Sequence, residues 1–329
     1  MVIVAPVSSV HEVEMLIDNG ADELYCGLNP PEWEARVGAR WWINRRSPAH
    51  ASFNSFDDLR ETIRRAHRSK VPVYLTVNAP FYPGSAVPYL LDLSQRLVYE
   101  LEVDGLIVSD LNFLLSLARL DLPASIHLSS LGGCYNRHTV EFYSGLGVRR
   151  IILSRQLRRS EIERIVKGAP SGVAFEVFGL NDGCYFEEGY CQASHTLGPF
   201  CLSQWEEAAP WTAKGHISSE DLECDREQLR KYLWFQDNCG SSFQKNGLPN
   251  GPCSLCWLGQ FRDWGVHGVK IVGREASFHR KMASLQLVKA VMDLVRKGGT
   301  SEEVSQSALS FRATPELCDT RYMCYYGDA

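Results

Sequence analysis

The chain has 329 residues, 45% of them hydrophobic and 22% charged, with a formal net charge of -5. These values lie near the averages of soluble globular proteins and exclude collagen-like and disordered compositions. The length admits one α/β barrel of about 250 residues with insertions. The acidic balance gives no general pull toward phosphate backbones, although Arg45-Arg46, Arg149-Arg150 and Arg158-Arg159 can form local anion sites.

The first residues, Met1 to Pro6, run directly into polar sequence without the basic and apolar regions of a signal peptide. No stretch of about 18 uncharged apolar residues occurs. A cytoplasmic location without membrane contact is therefore expected. There the eleven cysteines would stay reduced, which favours metal binding or catalysis over a disulfide framework.

In chain order, eight short apolar, β-branched runs read as strands. They are Val2-Pro6, Glu23-Leu28, Val71-Asn78, Gly105-Asp110, Ser125-Ser130, Arg149-Arg155, Val173-Gly179 and Gly268-Arg274. Amphipathic stretches separate most of them: His11-Asn19, Ser55-Ser69, Leu111-Leu120, Thr139-Ser144 and Ser160-Lys167. Ser55 and Ser160 stand where helices should start, and Gly20 and Gly145 where they should stop. The alternation predicts a closed (β/α)8, TIM-like barrel, with residues 1-329 as a single barrel domain. An open dinucleotide-binding sheet is disfavoured, because no Gly-x-Gly-x-x-Gly turn follows the first strand.

Two insertions interrupt the repeat. Residues 29-54 follow strand two and carry Trp33, Trp41, Trp42 and Arg45-Arg46; residues 180-266 separate strands seven and eight. Both follow strands, so both are expected on the C-terminal face, where barrel enzymes build their sites. The second insertion holds Cys184, Cys191, Cys201, Cys224, Cys239, Cys253 and Cys256, seven of the eleven cysteines. Such crowding in a reducing compartment points to a zinc ion or an iron-sulfur cluster, with ordinary buried thiols as the plain alternative. Only Cys253-Ser-Leu-Cys256 has the tight spacing usual in structural zinc sites.

The run Glu176-Val-Phe178, followed by Cys184-Tyr-Phe-Glu-Glu-Gly189-Tyr-Cys191-Gln-Ala-Ser194, resembles the signature of the collagenase-like peptidase family U32. Further similar blocks are Ala5-Pro6, Gly20 to Tyr25, Val73 to Asn78, Ile126 to Ser129, Leu153 to Arg155 and Gly265 to Arg274. The resemblance implies an oxygen-independent hydroxylase rather than a demonstrated general protease. Its better-understood members include a ubiquinone-biosynthesis pair and enzymes that hydroxylate RNA bases. It further implies a 4Fe-4S cluster on Cys184, Cys191, Cys201 and Cys253, with Cys256 as rival for the fourth position, and prephenate as oxygen donor. The stretch from Cys191 to Cys201 is shorter than usual, and 206-252 looks like a private insertion.

For oxygen transfer, polar groups at the strand ends should surround the substrate. His127, Arg155 and Glu176 are the catalytic candidates, and Asn78, Asp110, Ser129 and Arg274 the substrate-binding ones. Each has a plain alternative: His127 as a hydrogen-bonded core histidine, Arg155 and Arg274 as structural partners of Glu176 or Glu275. The expected substrate is a small, aromatic biosynthetic molecule, with nucleic acid second and unlikely; the sequence names no electron donor. Two other readings stand beside it. A peptidase would need a nucleophile, yet neither Gly-x-Ser-x-Gly nor His-Glu-x-x-His is present. A non-catalytic iron-sulfur subunit would pair as a heterodimer with a related U32 protein.

Overall fold

The structure is a computed structural model that describes residues 1-38, 41-46, 51-181, 183-184, 188-191, 218-238, 251-321 and 324-327. All eight expected strands form: β1 Val2–Pro6, β2 Glu23–Gly27, β3 Val73–Val77, β4 Gly105–Val108, β5 Ser125–Leu128, β6 Val148–Ile152, β7 Ala174–Leu180 and β8 Gly268–Ile271. Each pairs in parallel with the next, and β8 closes on β1 through Val2↔Gly268, Ile3↔Val269 and Val4↔Lys270. Burial on both faces explains why the strands read as apolar runs instead of clean alternations. Most expected strands extend one to three residues too far at their C-terminal ends. The excess residues, among them Asn78, Asp110, Ser129, Arg155 and Arg274, leave the ladder and turn into the loops of the barrel's C-terminal mouth.

The helix Phe56–Arg68 shows how local sequence sets the outer layer. The Ser55 hydroxyl accepts the N–H groups of Asp57 and Asp58 at 3.1 and 3.3 Å, and Leu59, Thr62, Ile63 and Ala66 make the buried stripe. The helix Val87–Tyr99, with Pro88 in its first turn, fills the interval between β3 and β4 that the sequence reading left unassigned. Within the first insertion, the helix Trp33–Val37 precedes a return strap in which Phe53 N–H donates to Gly27 O and Asn29 N–H to Phe53 O, both at 2.8 Å.

After β7 the described residues include the helix Ser219–Asn238, a turn Leu255–Trp257 and the helix Leu258–Trp264, which Gly265 ends at φ +97. The helix Phe278–Arg296 then packs on β1 and β8, and the helix Ser301–Arg312 packs on the Leu255–Trp257 turn. A last helix, Pro315–Thr320, leads to Cys324, whose backbone forms an isolated parallel β-bridge with that of Cys253, both thiols being free. Among the described residues no helix is long and apolar enough to cross a membrane.

Candidate active site

Below the mouth the barrel interior is ionic. Arg150 on β6 reaches across to Glu23 on β2, a crossing that only inward-pointing side chains can make. The Arg150 guanidinium binds both Glu23 oxygens, with Nη2–Oε1 at 2.9 Å, and lies 3.4 Å from Glu176 Oε2. Lys270 Nζ donates to Glu176 Oε1 at 2.8 Å and sits 3.7 Å above the Tyr25 ring. His127 lies in this layer, its ring 4.4 Å from that of Tyr74, and its Nδ1 finds no hydrogen-bond partner among the described residues. Burial, reinforced by the Arg150 charge, pushes the His127 pKa well below 6.5, so the imidazole is neutral.

These groups set an acid limit on the fold. Burial alone would raise the Glu23 carboxyl, but hydrogen bonds from His267 and Arg150 and the Arg150 charge outweigh it, bringing the pKa down from 4.5 to about 2. A lowered carboxyl pKa stabilises the fold above the unfolded value. We expect on the order of 3 kcal/mol from Glu23 to be lost as pH falls from 4.5 to about 2. His127 adds a loss that begins below pH 6.5, because only the unfolded chain takes up its proton there. Urea unfolding at several pH values checks this: Glu23→Gln should flatten the lower part of the profile, and an unchanged profile would refute the assignment.

The mouth above is lined by Arg45, Arg46, Arg155, Lys270 and Arg274, against one carboxylate, Glu188. Arg274, only 5% exposed, donates from Nη1 to Thr76 Oγ1 at 2.8 Å. A Cβ on Gly27 would fall on that same Nη1, so the guanidinium can lie here only because residue 27 has no side chain. Burial lowers the pKa of Arg274; Arg46 is brought down to about 9, first by burial and then by the neighbouring Arg45 charge. Arg155 pairs with Glu188, donates a further bond from its backbone N–H to Glu188 Oε2 at 2.9 Å, and stacks 3.7 Å over the Phe178 ring. Ser129 accepts from Asn78 Nδ2 at 3.2 Å, and Ser130 donates to Glu188 at 2.8 Å.

Of the residues expected to touch substrate, Asn78, Ser129, Arg155 and Arg274 meet at this mouth. His127 and Glu176 lie one layer lower, outside its lining, engaged as a neutral core imidazole and as the carboxylate between Arg150 and Lys270. Asp110 is also absent from the lining: it accepts the N–H groups of Phe113 at 2.6 Å and Tyr82 at 3.0 Å, capping the helix Leu111–Leu117. Tyr25, Thr76, Lys270 and Glu188 line the mouth without having been singled out. The polar residues Tyr25, Thr76 and Lys270, set in predominantly apolar strands, are the signal the sequence offers.

Cys184 stands beside the mouth, its sulfur 3.9 Å from Arg45 Nη2, and Cys191 follows the one-turn helix Glu188–Tyr190. Cys201 lies outside the described residues. Cys253 lines a second cavity with Cys256, Cys318 and Cys324, whose walls include neither Cys184 nor Cys191. Burial raises the thiols of Cys256, Cys318 and Cys324, and the charges of their neighbouring cysteines raise them further, Cys324 to about 11. Among the described residues no three Cys, His, Asp or Glu side chains gather so as to hold a single metal ion.

A sequence model described as Peptidase family U32 matches residues 8–328. The 23S rRNA 5-hydroxycytidine synthase of Escherichia coli is 28% identical over 54% of this chain and 24% of its own length. The tRNA hydroxylation protein P of Haemophilus influenzae is 29% identical over 92% of this chain and 69% of its own length. An uncharacterized protease of Methanocaldococcus jannaschii is 32% identical over 59% of this chain and 44% of its own length. The chain thus spans a quarter to about two thirds of these relatives. The names of the first two overturn the expectation of a small aromatic substrate with nucleic acid second. That expectation leaned on the net charge of -5, whereas phosphate recognition depends on local charge, and the mouth gathers five cations around one carboxylate.

Proposed function

The chain belongs to peptidase family U32, matched from residue 8 to 328, and on that premise we propose that it takes part in hydroxylating a nucleoside of transfer or ribosomal RNA. The observation that carries this reading is the basic mouth, where Arg45, Arg46 and Arg274 surround a polar floor of Thr76, Asn78 and Ser129. A base must leave its stack to enter such a pocket. The guanidinium groups suit the anionic partner that accompanies it, either the flanking phosphate or a carboxylate oxygen donor such as prephenate. Converting C–H to C–OH is a two-electron oxidation that requires an oxygen source and an electron acceptor. An iron-sulfur cluster would supply the electron-accepting chemistry; this chain's mouth residues bind, orient and exclude water.

Proteolysis has less support in the geometry. Ser129 is engaged with Asn78 and Ser130 with Glu188, and among the described residues no mouth hydroxyl or thiol is hydrogen-bonded to a histidine. The RNA reading is tested by nucleoside mass spectrometry of transfer and ribosomal RNA from a strain lacking the gene. One hydroxylated nucleoside should vanish and return on complementation. Unchanged nucleosides, together with casein or gelatin cleavage by iron-free protein, would replace this reading with the peptidase one.

A further inference from the structure

Among the described residues, Lys270 is the one charged group that belongs both to the ionic layer and to the lining of the mouth. It is 6% exposed, so its amine meets the cavity rather than bulk water. Nζ lies 2.8 Å from Glu176 Oε1 and 3.7 Å above the Tyr25 ring. A carboxylate beside a buried ammonium can take its proton, and burial already draws the Lys270 pKa below 10.5. An amine freed in this way is a nucleophile toward a carbonyl carbon.

The neighbourhood also offers a seat for an anion. Tyr25 and Gly27 stand two residues apart on β2, so they face the same side of the sheet, about 7 Å from each other. Tyr25 lies under the Lys270 amine, and Gly27 leaves the space that Arg274 Nη1 occupies. One strand thus sets an amine and a guanidinium side by side. Arg274 is buried, and its hydrogen bond among the described residues goes to the Thr76 hydroxyl, so its planar fork has further donors for a carboxylate. The cavity they share holds about 60 Å³, several times the roughly 15 Å³ that one water needs. That space suits a compact ligand whose carboxylate adjoins its carbonyl.

We propose that Lys270 forms an imine with the carbonyl of a 2-oxo acid whose carboxylate rests on Arg274. The step balances without any oxidant or reductant. The bond from Nζ to the carbonyl carbon forms and the C–O bond breaks. Two of the three ammonium hydrogens leave with that oxygen as water, and Glu176 carries them across. The third stays on nitrogen, so a positive charge remains over Tyr25 and against Glu176. The ionic layer therefore keeps its charge balance throughout.

This inference goes beyond the RNA reading and is measured without RNA, so either can fail alone. The full chain is treated with pyruvate, or separately with acetone, in the presence of sodium cyanoborohydride, then digested and mapped by mass spectrometry. With pyruvate, Lys270 should gain the reduced adduct about tenfold faster than the exposed Lys70 and Lys297. Arg274→Gln should slow pyruvate labelling of Lys270 about tenfold and leave labelling by acetone, which has no carboxylate, unchanged. The comparison of lysines within the unaltered protein is independent of how any variant folds. Pyruvate labelling of Lys270 no faster than that of Lys70 would overturn the proposal. So would an equal slowing of pyruvate and acetone labelling in Arg274→Gln.

Discussion

Replacing Glu176 with alanine should cost the fold about 3–5 kcal/mol, the range for breaking a buried charge network from one side. Glu176 is 1% exposed and stands between two buried cations, Lys270 at 2.8 Å and Arg150 at 3.4 Å. Without it Arg150 keeps Glu23, but Lys270 loses its carboxylate in a layer where burial already lowers its pKa. Folded domains are stable by only about 5–15 kcal/mol, so the loss should be visible as a large drop in urea midpoint. Glu176→Gln keeps an acceptor for Lys270 and should lose less. A Glu176→Ala midpoint within about 1 kcal/mol of wild type would show that the ionic layer does not hold the barrel.

The second large effect should be on activity rather than stability. If the proposed RNA hydroxylation holds, Arg274→Ala is expected to lower it about a hundredfold or more, the loss typical of removing one fixed donor from a site that stabilises negative charge. Arg274 is nearly fully buried, yet its hydrogen bond among the described residues goes to a hydroxyl, Thr76, and not to a carboxylate. A cation desolvated in this way gains its compensation when an anion arrives. Removing it should leave the urea midpoint unchanged or slightly higher, as happens when an active site stores instability. Gly27→Ala should act in the same direction by displacing the guanidinium from Thr76, with Ser52 Oγ, 2.7 Å from the new Cβ, also forced to move. If Arg274→Ala instead unfolds readily while its folded fraction remains fully active, the residue is structural.

These two positions mark how far the sequence could be read. The barrel was legible because eight β-branched runs in a parallel sheet are buried on both faces, and Arg274 was legible because it closes one of them. Glu176 stands among the catalytic candidates of the sequence analysis, and its place between Arg150 and Lys270 is a depth within the barrel that a strand pattern, which gives only the side of the sheet, does not show. Lys270, Tyr25 and Thr76 sit at the same kind of inward position and could have been flagged by polarity alone. Arg45 and Arg46 belong to an irregular loop with no period to betray their direction. The crowding of cysteines along residues 180-266 says nothing of Cys318 and Cys324, which line one cavity with Cys253 and Cys256. Their proximity to Cys253 is made by a helix packing and a bridge, neither of which leaves a mark in local spacing.

The ionic layer and the mouth should also part company when electrolyte is added. Mobile ions screen charges they can approach, over roughly 10 Å at 0.1 M salt, but not ion pairs sealed inside a barrel. The Glu23–Arg150–Glu176–Lys270 group is enclosed, with each side chain at most 8% exposed, whereas the arginine-lined mouth opens outward. Rising salt should therefore weaken the RNA binding proposed for the mouth while leaving the scaffold intact.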